Sequence, residues 1–341
     1  MTTPTPAASA ALEVTEETDG KPGSPKDQGS RGRSPGKLAW TRFKRDKSGT
    51  TAACVVLFFF VVSLCAPLIA KVYGKDPYTP YGMDDPSLLN EFSNPMKPNG
   101  GIDGDFWFGV EPGLGRDVFT FLLYGIRNSL LIATVTTVLV VLLGVVVGVT
   151  AGYLGGKTDY FIGRVIDILL AFPSTLFYIA FFPVMLSILV SPEDKTPQWL
   201  IVTTLIAVMT AFGWAPLARL LRGEVLALRE REYVEAAKVT GASPARIIFK
   251  ELLPNLWTPI LIQATLLLPL FVTTEAALAF LGVGLEEPTP DWGVMIQNGS
   301  KYYQDDITFM AFPGVAMVIF VVAFNLLGDS VRDALDPKTT R

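Results

Sequence analysis

The chain has 341 residues, of which 50% are hydrophobic and only 18% charged, and its mean hydropathy of +0.40 is high for a protein dissolved in water. With no histidine, it lacks the usual neutral-pH proton shuttle and the commonest metal ligand. Histidine-based catalysis is thereby excluded, and no catalytic residue, cofactor, metal or nucleic-acid partner is expected.

Residues 1–36 are rich in Thr, Pro, Ala, Ser, Gly and Glu without apolar periodicity, the composition of a disordered tail. No basic stretch followed promptly by an apolar core occurs there, so the tail does not read as a signal peptide. Residues 37–70 combine a basic segment with an uncharged apolar run, 51–70, of about the 20 residues that cross a bilayer core. Cys54 and Cys65 fall in this run, too far apart along a helix for a disulfide. Residues 71–127 are rich in Pro, Gly and Asn and read as an external segment, with room for a small cap. Apolar runs at 130–153, 161–190, 200–220, 256–285 and 307–327 complete six expected spans within a core of residues 128–335.

Orientation follows from Lys and Arg placement. Arg42, Lys44, Arg45 and Lys47 precede the first span, and Arg219, Arg222, Arg229, Arg231, Lys238, Arg246 and Lys250 lie between the fourth and fifth. Both segments are expected in the cytoplasm, together with the C-terminal tail 336–341 and its Lys338 and Arg341. The opposite connections carry only Lys195 and Lys301 against seven acidic residues, among them Glu286, Glu287 and Asp291. Prolines at 173, 183, 216, 259, 269 and 313 fall in or at the ends of spans and predict kinked, protein-facing helices.

The connection 219–254 is longer than the two to eight residues usual between bundle helices. Residues 222–240 are strong helix formers, and Gly241 suits the left-handed position past a helix end. Ser243 then offers an N-cap oxygen and Pro244 the first helical position, so a second short helix is expected to run to about Leu253 and end at Pro254.

Within this connection, EAAKVTGASPARIIFKELLPN (235–255) resembles the EAA loop of bacterial ABC importer permeases, matching at Glu235, Ala236, Ala237, Gly241, Ile247, Ile248, Leu253 and Pro254. Glu251 stands where many relatives carry histidine. FGVEPGLGRDVFTFLLYGIRNSL (108–130), GYLGGKTDYFIGRVIDILLAFPS (152–174) and EAALAFLGVGLEEPTPDWGVMI (275–296) narrow the resemblance to the C-type permease subunits of the oligopeptide, dipeptide and nickel class. The resemblance implies an all-α, polytopic MetI-like permease fold with a coupling loop, in a bacterial cytoplasmic membrane. It also implies a second, homologous permease, two ATPase subunits and an extracellular solute-binding protein as partners. ATPase coupling would rest on Glu235, Ala236, Ala237, Gly241, Ala242, Ser243, Pro244, Ile247 and Pro254. Di- or oligopeptide cargo is implied, with nickel or another small solute as the alternative.

AGYLGGKT (151–158) imitates a phosphate-binding loop, but Ala151 replaces its first glycine and a helix precedes it, so a tight turn at Gly155 and Gly156 is expected. Glu275 lies within the fifth span, where a charge is costly unless it faces protein or water; it either lines the translocation path or fixes packing. Arg164 and Asp167, three apart, are expected to pair with each other or with the cytoplasmic loop. Pro288, Pro290 and Trp292 suggest a stiff outer loop, either an aromatic anchor or a contact for the solute-binding protein. Gly115, Arg116 and Asp117 either brace that face or start a capped helix. A secondary carrier would show inverted repeats and midplane charges; no repeat is apparent, and beyond Glu275 the sequence shows little of such charge.

Overall fold

In the computed structural model, which describes residues 35–191, 193 and 195–335, the chain is helical, with no strand among the described residues and two isolated bridges, Leu89 to Pro95 and Val110 to Asp117. The expected tails at 1–34 and 336–341 lie outside the described residues. Helix α1 (Pro35–Arg45) already includes residues 35 and 36. One extended residue, Asp46, joins it to the first long helix, α2 (Lys47–Tyr73), and its carboxylate accepts the Ser48 N–H at 3.0 Å as the N-cap.

Helix α3 (Val118–Leu154) starts well before the apolar run that announced it. The Asp117 carboxylate accepts the Thr120 N–H at 2.7 Å and caps the helix there, so residues 118–127, expected in the outer segment, belong to α3. Its 37 residues rise about 55 Å, more than a hydrocarbon core of about 30 Å requires.

Gly155 and Gly156, at φ 64° and 55°, make the expected tight turn into α4 (Gly156–Ala171). The third span is not one helix. Phe172 is extended (φ −115°, ψ 146°), as a residue before proline prefers, and α5 (Ser174–Leu189) leaves α4 at 91°. Helices α6 (Gln198–Gly213) and α7 (Ala215–Leu228) run on as a single apolar stretch. The predicted helix over 222–240 is therefore divided, because Arg231 turns extended before α8 (Glu232–Val239) begins.

A second correction concerns Pro254. A turn at Pro244–Arg246 passes through a π-helical segment, Ile247–Leu252, directly into α9 (Leu253–Phe280). The wider π bonding, in which the Leu253 N–H reaches the Ile248 carbonyl, leaves the ring of Pro254 in the first turn of α9, where its missing donor costs nothing. Helix α9 stops at Phe280, short of the predicted 285. Helices α10 (Trp292–Gly299) and α11 (Ile307–Leu335) follow, the latter running past the predicted 327. Among the described residues, five stretches are long and apolar enough to cross a membrane, and the bent pair α4–α5 makes a sixth if it crosses as one.

Two packing features fix the bundle. Gly144, Gly148 and Gly152, each one helical turn apart on α3, let α7 approach so closely that a Cβ on Gly148 would lie 2.7 Å from the Ala218 carbonyl oxygen. On the other side, α2, α10 and α11 meet in an aromatic cluster, with Phe59 and Phe320 centroids 5.4 Å apart and Trp292 about 6 Å from both. The segment between α2 and α3 folds as a cap over one end. Its Arg116, 2% exposed, forks onto Glu111 and reaches Glu287 at 3.0 Å, tying the cap to the loop after α9.

Candidate functional site

The loop between α7 and α9 is stiff because its own backbone groups are satisfied. Helix α8 ends in a Schellman arrangement: the Gly241 N–H donates to the Lys238 carbonyl and the Ala242 N–H to the Ala237 carbonyl, both at 3.0 Å. That geometry places Gly241 at φ +79°, which a side chain rarely adopts. Two residues on, the Ser243 hydroxyl accepts the Arg246 N–H at 3.3 Å and Pro244 opens the next turn, as the sequence predicted.

Buried residues anchor this bend to the bundle. Val234 and Ile247 are almost wholly covered, while Ala237, Ala242 and Ile248 pack partly beneath them. Glu235 and Ala236 are exposed, Glu235 pairing with Lys238 at 2.8 Å, and Pro254 is exposed at the root of α9. The structure thus brings the predicted coupling residues onto one projecting bend, with Ile247 as its anchor rather than its surface. Sequence reasoning missed the two apolar side chains that the bend displays most fully, Val239 at 86% and Phe249 at 68% exposure. Their signal was an apolar residue on the polar face of a short helix.

Charges knit the same end of the bundle together. Asp167 accepts from Arg219 at 2.5 Å and sits 3.7 Å from Arg164, realising both expected pairings. Arg222 forks onto Asp159, and Arg229 donates to the Gly152 carbonyl at 3.2 Å, so α7 is fastened to the turn between α3 and α4.

Two of the predicted outer residues are corrected. Trp292 has no exposed surface and Pro290 is buried, because Asp291 caps α10 through the Gly293 and Val294 N–H groups and accepts the Ser129 hydroxyl at 2.8 Å. Asn128 adds a bond to the Pro290 carbonyl at 2.7 Å. The loop is therefore stapled to α3, and Trp292 is neither an interfacial anchor nor open to a partner; Pro288 remains exposed.

Glu275 is also fully buried, on the side of α9 that meets Ser129 and Asp291, and neither carboxyl oxygen makes a hydrogen bond of good geometry. Of the two alternatives the sequence left open, this burial within the chain favours the packing one. The opposite stripe of α9 carries Leu266, Leu270, Thr273, Ala277 and Phe280, all exposed and spaced by three and four. Outside the spans, burial pushes the Glu111 carboxyl up to about 7, with the Arg116 guanidinium pulling the other way.

Residues 144–341 match the family described as binding-protein-dependent transport system inner membrane component, and residues 34–95 match the N-terminal transmembrane domain of oligopeptide transport permease C. The dipeptide transport system permease protein DppC of Bacillus subtilis is 35% identical over 89% of this chain and 86% of its own length. The oligopeptide permease OppC of the same organism is 34% identical over 89% of each. A glutathione transport permease, GsiD of Pectobacterium atrosepticum, is 33% identical over 90% of this chain and 92% of its own. Among solved structures, an inward-facing MetNI methionine ABC transporter aligns with a TM-score of 0.48 and 22% identity, covering 63% of this chain and 96% of its own. The matched family model and relatives together make this multi-pass membrane chain a permease subunit, a member of the binding-protein-dependent transport system inner membrane component family.

Proposed function

We propose that this chain is one of two related permeases enclosing a path for di- or oligopeptides, driven by separate ATP-hydrolysing subunits and supplied by an external solute-binding protein. The observation that carries this reading is the bend at Gly241, rigid in its backbone yet presenting Val239 and Phe249 to water. Exposed apolar side chains on a stiff projection are the anchors expected of a docking surface. The excess of Lys and Arg beside the bend supports a cytoplasmic position for it and for both termini.

Peptide cargo is favoured by the names of the similar permeases, and the exposed α9 stripe from Leu266 to Phe280 is the face proposed to meet the second permease and the path. Pro288, at the open tip of the stapled outer loop, is the proposed receptor contact. Moving a two-state path from 1:99 to 99:1 requires about 5.5 kcal/mol of differential binding, which nucleotide-loaded ATPases and receptor would supply through the bend.

Val239→Asp with Phe249→Asp tests the proposal. Removing two anchors with these exposures from a docked interface costs about 3 kcal/mol, roughly a hundredfold in affinity. Loss of ATPase copurification and of peptide uptake, with membrane insertion intact, is the expected result. Copurification and uptake at the level of the unaltered chain would refute it.

A further inference from the structure

Helix α1 carries more charge than a lead into the first span requires. Its sequence, PGKLAWTRFKR, contains four cations and no acid. Arg42, Lys44 and Arg45 in the last turn complement the helix dipole, but Lys37 in the first turn does not. Ala39, Arg42 and Phe43 turn toward the protein, and α1 packs along α11. The other face displays Lys37, Trp40 and Lys44, one turn apart, with Leu38 and Arg45 beside them. Trp40 is 58% exposed, and the Lys44 ammonium lies 5.1 Å from its ring centroid.

The depth of this helix is fixed. Only Asp46 separates it from α2, and the Ser330 hydroxyl of α11 bonds that carboxylate. Gly49 approaches Ser330 so closely that an added Cβ would come within 2.5 Å of it. Ser330 follows Leu327, where the apolar run of α11 gives way to Asp329 and Arg332, so the joint sits at the membrane boundary. A helix held there with a Trp between cations on its open face has the pattern of an interfacial element, whose ring enters the headgroup layer while its cations meet phosphates.

We propose that the Lys37–Trp40–Lys44 face of α1, with Arg45, is a binding site for anionic phospholipid headgroups. The site is independent of the cargo and of the coupling bend. Each cation at a membrane surface strengthens binding of an anionic lipid about fivefold, so losing three lowers affinity on the order of a hundredfold.

The full-length chain in detergent is titrated with phosphatidylglycerol or with phosphatidylcholine of the same acyl chains, and bound lipid is counted by native mass spectrometry. The unaltered chain is expected to prefer phosphatidylglycerol. Lys37→Ala with Lys44→Ala and Arg45→Ala should abolish that preference and leave phosphatidylcholine binding unchanged; all three side chains are exposed, so the fold is not at issue. A triple variant that keeps the preference would overturn the proposal, as would an unaltered chain with none. As a second measurement, a photoreactive residue replacing Trp40 in native membranes should yield a phospholipid adduct, and an adduct with an ATPase subunit instead would assign this face to protein.

Discussion

Gly148→Ala should loosen the contact between α3 and α7, and the size of the effect can be worked from the geometry. The new methyl would lie 2.7 Å from the Ala218 carbonyl oxygen, 3.0 Å from the Ala218 Cα and 3.1 Å from the Leu221 Cβ. The first two are backbone atoms and the third is fixed to backbone, so no side-chain rotation relieves them. Ordinary contact begins at 3.4 Å, and the helices must therefore part by about 0.7 Å. A gap of that size forfeits a quarter to a half of the dispersion well for each atom pair along the crossing, and overpacking of this kind costs about 1–3 kcal/mol. Gly223, on α7, supplies the control, since nothing lies within 4 Å of the point where its methyl would stand and Ala is the better helix former by roughly 1 kcal/mol. Thermal unfolding of the purified chain in detergent should show Gly148→Ala melting below the unaltered protein and Gly223→Ala at or above it. Equal shifts for the two variants would refute the close-packing account.

The acidity of Glu111 carries a second prediction. Its folded value, about 7, lies above the ordinary 4.5, so the stabilisation it contributes is complete below about pH 4.5 and is lost as pH rises through about 7. Melting temperature should fall across that window, and Glu111→Gln should flatten the dependence while Arg116 keeps its contact with Glu287. Glu275→Gln, an isosteric change at a fully buried site, should leave peptide uptake in whole cells unchanged; a collapse of uptake with normal insertion would return Glu275 to the path.

What could be read from the sequence was what is decided locally. An uncharged apolar run of bilayer length needs no partner to declare itself, and the Gly241, Ser243 and Pro244 bend is written in caps whose bonds close within five residues. Some of what was not legible depends on distant atoms. Trp292 looks like an interfacial aromatic until Phe59 and Phe320, far away in the chain, enclose it. Glu275 leaves path and packing both open until Ser129 and Asp291 are seen to meet its side of the helix. Pro254 reads as a terminator because proline lacks a donor, and nothing local announces the π turn that accommodates it. Conversely, Pro173 announced a kink, but only the packing of α5 against α6 and of α4 against α7 turns it into a near right angle.

The unbroken run from Pro244 to Phe280 has a mechanical consequence. A rod of 37 helical residues, about 55 Å long, begins at the exposed bend and ends where the chain leaves for the stapled outer loop. Were such a rod to pivot by only about 5° at one tip, the opposite tip would swing by about 5 Å, roughly the rise of one helical turn. Such a lever would carry a displacement from one end of the bundle to the other without unfolding or refolding any segment between them, and the π turn, Pro259 and Pro269 are the points along it where the regular helical bonding is interrupted.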